Sequence, residues 1–244
     1  MFCVGVARRS RLAGLVVALA GLCLAGPGAA AEQAAFSRQR EWMVERQLQA
    51  RDITEPAVLR AMRTVPRHEF VPPAYLREAY ADRPLPIEEG QTISQPYIVA
   101  LMTQLLALRG GEKVLEVGTG SGYQAAVLAE ITPHVYTIEI LPGLAASAAA
   151  RLRRLGYTTV KVRTGDGYLG WPEAAPFEGI LVTAGATHVP EPLIAQLAEG
   201  GRLVIPVGET YGVQELLLGQ KKGGRFVTRP VASVRFVPLI EPRR

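Results

Sequence analysis

Thiol chemistry is almost missing from this chain. Its two cysteines, Cys3 and Cys23, both fall within the first 31 residues, so the remainder can form neither a disulfide nor a cysteine metal site. Histidine is nearly as scarce: His68, His134 and His188 stand singly, without metal-ligand spacing, and are read as packing or facing water. Aromatic residues make up 7% of the sequence and nowhere interleave with a block of lysine or arginine, which argues against a nucleic-acid surface. The apolar stretch from Leu12 to Leu24 is too short and too rich in glycine and alanine for a membrane span. Neither an internal repeat nor a low-complexity segment is present outside this N-terminal stretch.

The same stretch has the order of a secretory signal. Arg8, Arg9 and Arg11 form a basic start, Leu12 to Leu24 is apolar, and Ala29-Ala30-Ala31 offers a small-residue cleavage site before Glu32. An uncleaved anchor is the alternative. Leu22 stands before Cys23 where a lipoprotein signal has a small residue, so no lipid anchor is expected. Removing residues 1–31 leaves 24 of the 27 basic residues against 22 acidic ones, and the formal charge falls from +5 to +2. The mature chain is therefore expected in the periplasm or outside the cell, monomeric and without stable membrane association.

What the chain does have is a glycine turn between a strand and a helix, in Val114-Leu115-Glu116-Val117-Gly118-Thr119-Gly120-Ser121-Gly122-Tyr123. Glycines at 118, 120 and 122 let the backbone turn sharply and lie against a ligand. A dinucleotide site needs G-x-G-x-x-G; here the third glycine comes one residue early and Glu116 precedes the turn. Strand, acidic residue and G-x-G-x-G resemble the first motif of S-adenosylmethionine-dependent methyltransferases, with a nicotinamide or flavin site, or a purely structural turn, as alternatives.

Upstream, Phe36, Met43, Val44 and Leu48 recur at helical spacing over Gln33 to Ala50. Thr54 as N-cap with Pro56 in the first turn opens a second helix that must stop near Val65-Pro66. Pro72, Pro73, Pro84 and Pro86 predict a long irregular loop with one short helix around Tyr75 to Tyr80. A further helix after Pro96 is closed by Gly110-Gly111. From there strands alternate with helices: Val135 to Glu139, a helix from Leu144 to Leu155, Val160 to Val162, Gly179 to Val182, a helix opened by Pro190 and Pro192, and Leu203 to Val207. Val213 to Leu218 and Phe226 to Val237 flank Lys221-Lys222-Gly223-Gly224 as an antiparallel hairpin. The class is α/β: a doubly wound, mostly parallel, Rossmann-like sheet with N-terminal helices and a C-terminal hairpin. Residues 32–244 form one domain, with 32–109 as a helical cover and 110–244 as the cofactor-binding sheet.

Ligands of such sheets bind beyond the carboxyl ends of the strands, where strand order reverses. Glu139 ends the second strand, where a carboxylate can accept from both ribose hydroxyls. Asp166-Gly167 follows the third and can receive an adenine amino group. Glu116, Gly118, Thr119, Gly120, Gly122, Glu139, Asp166 and Gly167 are thus the candidate cofactor contacts. Tyr168 and Trp171 are expected to cover the pocket or the core.

The segment Gly90-Gln91-Thr92-Ile93-Ser94-Gln95-Pro96-Tyr97-Ile98-Val99 closely resembles the signature of protein-L-isoaspartate O-methyltransferases. So do the blocks at 65–72, 79–87, 175–184 and 234–239, in the family's order, so that the resemblance covers about residues 36 to 240. It implies transfer of a methyl group from S-adenosyl-L-methionine to the free α-carboxylate of L-isoaspartyl residues in damaged proteins and peptides, which initiates repair through a succinimide. It also implies that Ser94 is the active-site residue, its hydroxyl placed to hydrogen-bond the substrate carboxylate, and that Gln91, Thr92, Ile93 and Ser94 line the cofactor pocket. A helix N-cap is the alternative role for Ser94. Some members have histidine at the position of Val99 and threonine at that of Ile240, so both positions are left out of the site. Competing readings are a methyltransferase with another carboxylate acceptor and a non-catalytic binder of damaged peptides. The methyl donor is made in the cytoplasm, so cytoplasmic protein, through a later start such as Met43, is the alternative to export.

Overall fold

A computed structural model describes residues 1–2 and 27–240. The basic and apolar parts of the expected signal, Arg8 to Leu24, lie outside the described residues. Helix α1 (Pro27–Met43) runs across the expected cleavage position and widens into a π-helical turn, Val44–Gln49, that turns Val44 and Leu48 fully inward. Helix α2 (Pro56–Thr64) is capped by Glu55 rather than Thr54. The Glu55 carboxylate accepts from the Ala57 amide at 3.4 Å, whereas the Thr54 amide donates to Gln104 Oε1 at 2.8 Å, a tertiary partner fifty residues away that local sequence cannot reveal.

The proline-rich loop is more ordered than its composition predicts. It holds 3-10 turns at Arg67–Phe70, Pro73–Glu78 and Glu88–Gly90. Two short strands, β1 (Leu85–Pro86) and β2 (Thr92–Ile93), pair antiparallel through Leu85 with Ile93 and Pro86 with Thr92. This ladder fixes the backbone that leads into Ser94. Helix α3 (Pro96–Leu106) ends earlier than expected, on Ala107 in the left-handed region at φ 52°. The glycine pair is not its cap, because the amides of Arg109, Gly110 and Gly111 all donate to the Glu112 carboxylate at 2.7–3.0 Å.

Next come β3 (Lys113–Val117), α4 (Tyr123–Ala129), β4 (His134–Glu139), α5 (Pro142–Arg154), β5 (Lys161–Thr164), β6 (Phe177–Val182), α6 (Glu191–Gln196), β7 (Leu197–Gly208), β8 (Gln214–Lys222) and β9 (Arg225–Val234). The sheet order is β5-β4-β3-β6-β7-β8-β9, with β8 antiparallel to both neighbours and the first five strands parallel. The predicted hairpin is present, and Gly223 and Gly224, at φ 59° and 71°, form its turn.

Strand residues sort to the two faces with period two. Leu115, Val117, Ile180, Val182, Leu203 and Ile205 pack with Leu193 of α6, while Val114, Leu181 and Val204 pack with α2, α3, α4 and α5. Each fully buried Val or Leu contributes about 1.5–3 kcal/mol. The chain steps outward from β3 to β4 and β5, then returns to the other side of β3 as β6. The carboxyl ends of β3 and β6 therefore flank the point where strand order reverses, and that is where a crevice opens.

Candidate active site

The floor of the crevice is the turn after β3. Gly118 has φ 98°, where L side chains are strained, and a Cβ there would collide with the Thr183 hydroxyl. That hydroxyl donates to the Gly118 carbonyl at 2.6 Å, tying the turn to the end of β6. Gly122, at φ 87°, is the N-cap of α4, and a Cβ would press on Leu152 at 3.3 Å. Glu139, at the end of β4 and 7% exposed, accepts from the Gly120 amide at 2.8 Å and from the Leu141 amide at 3.1 Å. Each carboxylate oxygen keeps a further lone pair for a ligand hydroxyl.

Glu116 is wholly buried and accepts from the Thr137 hydroxyl at 2.6 Å, which in turn meets the Thr119 hydroxyl at 2.6 Å. Its other oxygen, Oε1, has no partner. Burial pushes the Glu116 carboxyl up to about 8; the Thr137 hydrogen bond opposes this and the nearby Glu139 charge adds to it. An orphaned buried acceptor that is costly to ionise alone suits a cationic ligand group.

Three cavities meet here. The crevice along the strand ends is lined by Gln91, Thr92, Gly118, Gly120, Glu139 and Gly167, all expected. A smaller cavity beside it is lined by Thr92, Ile93, Ser94, Glu116, Gly118, Thr119 and Gly120. Gly122 and Asp166 line neither. Gly122 acts on the turn's shape, and the Asp166 carboxylate accepts from the Tyr168 amide at 2.9 Å. The third, of about 370 Å³, opens on the other side of Ser94, between Pro84, Gln95 and Ile98 and the Val213 and Ser233–Phe236 segments. Thr92 borders all three cavities, and Ser94 borders the outer cleft and the small one. The N-cap of α3 is Gln95, without a side-chain cap bond, so Ser94 does not serve as the cap. The Ser94 hydroxyl has no hydrogen-bond partner among the described residues.

The sequence pattern of the protein-L-isoaspartate(D-aspartate) O-methyltransferase family matches residues 38–244. The chain belongs to this family. A protein-L-isoaspartate O-methyltransferase of Opitutus terrae is 59% identical over 221 residues, covering 91% of this chain and 95% of its own. One from Syntrophobacter fumaroxidans is 51% identical over 243 residues, covering 96% and 98%. Among solved structures, a Plasmodium falciparum protein assigned to the family, in complex with S-adenosyl-L-homocysteine, aligns with a TM-score of 0.72 at 28% identity, covering 82% of this chain and 98% of that one. The expected family and fold are thus both found.

Several wall residues of this family member were not anticipated. Thr183 and Ala184 follow β6, Leu141 follows Glu139, and Val237, Pro238, Leu239 and Ile240 close the crevice from the C-terminal side. The strand-end rule that found Glu139 also reaches Thr183. The 234–239 block marks this segment as family-like without placing it on the crevice, into which it is stitched by tertiary hydrogen bonds, Gly185 amide to Val237 carbonyl at 2.8 Å and Leu239 amide to Gly185 carbonyl at 2.7 Å. Val99 and Ile240, left out on the strength of the sequence, both line cavity walls. Trp171 covers the core, edge-on to Tyr136 at 5.3 Å. His68 packs on Phe36 at 4.0 Å, and His134 and His188 are exposed.

Proposed function

We propose that the crevice and the small cavity together hold S-adenosylmethionine, that the 370 Å³ cleft takes the acceptor peptide, and that Ser94 orients the acceptor carboxylate at their junction. The chain is a protein-L-isoaspartate O-methyltransferase: it esterifies the free α-carboxylate of L-isoaspartyl residues, and the ester closes to a succinimide. The observation that carries the site assignment is the unpartnered Ser94 hydroxyl on the wall shared by the outer cleft and the Glu116 cavity.

The donor set fits the cofactor. Glu139 keeps lone pairs for a ribose diol, and the orphaned Glu116 oxygen suits the ammonium of the methionine moiety. The bound cofactor supplies a sulfonium-activated methyl group. The chain's own contribution is positioning. An isoaspartyl carboxylate is ionised at neutral pH, so no general base is required, and holding it in line can supply about 7–11 kcal/mol. Ser94 donates to one carboxylate oxygen and leaves the other free to attack. Ile98, Val234 and Phe236 supply an apolar wall beside it.

The test is transfer of labelled methyl from S-adenosylmethionine to one peptide in isoaspartyl and aspartyl forms. A base-labile label in the isoaspartyl form alone is expected; equal labelling of both would favour another carboxylate acceptor, and cofactor binding without transfer would favour a binder. The order of basic, apolar and small residues at the N-terminus supports export, and the exported chain is proposed to act as a monomer. Cell fractionation that found only full-length cytoplasmic protein would overturn export, and size-exclusion chromatography checks the monomer.

A further inference from the structure

Arg235 is the single charged group on the wall of the outer cleft, and no carboxylate shares that wall among the described residues. The other cleft-facing groups are apolar or neutral: Ile98, Val213, Val234 and Phe236 on one hand, Ser94 and Gln95 on the other. A guanidinium stays charged at any physiological pH and offers a fork of donors that matches a carboxylate. Some surface arginines are paired, Arg51 with Asp82, Arg63 with Glu41, Arg154 with Glu69 and Arg163 with Glu173, and others, such as Arg60, Arg225 and Arg229, have no partner among the described residues but lie away from the cleft wall. Arg235 has no hydrogen-bond or ion-pair partner among the described residues.

Its backbone is not loose. Val234 is paired with Gln214 in the β8–β9 ladder, the Phe236 amide donates to the Gln214 side chain at 2.8 Å, and the Val237 carbonyl is held by the Gly185 amide. Both flanks being fixed, the exposed side chain leaves the backbone from a set position on the cleft wall. Arg235 lines the outer cleft and neither of the cofactor-side cavities. It is therefore placed for a group of the acceptor other than the reacting carboxylate, which belongs at Ser94.

We propose that Arg235 makes this cleft selective for isoaspartyl chains that carry a second carboxylate within two residues of the damaged one. The proposal rests on the assignment of the outer cleft to the acceptor peptide. The second carboxylate can come from a flanking Glu or Asp side chain or from a nearby chain terminus, because the guanidinium recognises the same group in both.

The experiment measures kcat and KM of the full chain on C-terminally amidated isoaspartyl peptides that place Glu or its neutral isostere Gln at each position within two residues of the isoaspartate. A parallel Gln peptide ending in a free carboxylate close to the isoaspartate separates the terminus from the side chain. Glu at one or more positions is expected to raise kcat/KM about 5-fold over Gln, mainly through KM, and the preference to shrink at high salt. In Arg235→Gln the Glu-to-Gln ratio falls to about one, and Arg235→Lys keeps part of it. Because the readout is a ratio within one enzyme, a variant with a reduced folded fraction still reports it, and the salt dependence of the wild type is an independent check. Equal kcat/KM on Glu and Gln peptides, both methylated, would overturn the proposal while leaving the parent reading intact, as would a preference that survives in Arg235→Gln. No label in any isoaspartyl peptide would overturn the parent reading and this proposal with it.

Discussion

The two sides of Ser94 are built in opposite ways. On the cofactor side, the floor comes from strand ends of one parallel sheet, closed over by residues 91–94 and 237–240, and its chemistry is carried by backbone geometry and two buried glutamates, Glu116 and Glu139. On the outer side, a proline-rich loop before the sheet meets two segments of the C-terminal hairpin, and the wall is apolar apart from a few hydroxyls, an amide and Arg235. The first kind of site needs rigid complementarity to one invariant molecule. The second needs only enough contact to hold a carboxylate in place while the rest of a variable chain lies in solvent, so its residues can be simpler and come from distant parts of the sequence.

The strongest way to break this contrast is to fill the glycine turn. Gly118→Val puts a β-branched side chain at φ 98° and drives it into the Thr183 hydroxyl; strain of this kind costs on the order of 1–3 kcal/mol before the clash is counted. Calorimetric titration with S-adenosylhomocysteine should show binding lost, with a lowered melting temperature. Retained affinity would mean that the turn is not the cofactor's floor.

Ser94→Ala should act on the other partner. Loss of a hydrogen bond to a charged group costs about 1.5–3 kcal/mol, so kcat/KM for isoaspartyl peptide should fall about 10- to 100-fold while cofactor affinity holds. A matching fall in cofactor affinity would move Ser94 from the junction to the cofactor side.

A smaller effect, and one confined to the cofactor side, comes from Glu116. Its folded carboxyl titrates near 8 because of burial, above its ordinary 4.5. Between those values the folded protein without cofactor holds a proton that the unfolded chain has released, so stability falls as pH rises through this window and levels off above it. Glu116→Gln should flatten the decline in melting temperature between about pH 5 and 8.5, a window set by those same two values. It should also remove the rise in cofactor affinity with pH that an ionising Glu116 gives the wild type. An unchanged pH profile of stability would show that Glu116 does not titrate in this window.

The least effect is expected on the outer edge of the hairpin. Gly224 has φ 71° with open space around its Cβ position, so Gly224→Ala should cost only about 1 kcal/mol of stability through backbone strain, and kcat and KM should not move. A kinetic effect would extend the acceptor side to a turn that the cleft does not reach.

The parallel strands were legible because burial on both faces leaves apolar runs between turn signals, and β4, α5, β6 and the hairpin fall within a few residues of their expected bounds. Boundaries failed where a distant side chain took over a local job, as when Gln104 holds the Thr54 amide or Glu112 occupies the amides of the glycine pair. Within the site, Gly118, Gly120 and Glu139 were readable because a turn between parallel strand and helix admits few residue types at those positions. Asp166 lines neither cofactor-side cavity, and one of its carboxylate oxygens accepts from the Tyr168 amide while the other keeps its acceptor capacity.

Local residue chemistry by itself marked the individual strands, the glycine turn, the acidic strand ends and the blocks that carry the family resemblance, because each is written in residues only a few positions apart. Tertiary structure alone decided that residues 237–240 close the cofactor crevice, that Ser94 faces two cavities rather than capping α3, and that Arg235 shares the outer cleft with it. Those placements depend on hydrogen bonds between segments tens of residues apart, Gly185 with Val237 and Leu239 and Gln214 with Phe236, and such pairings leave no periodic mark on the chain that makes them.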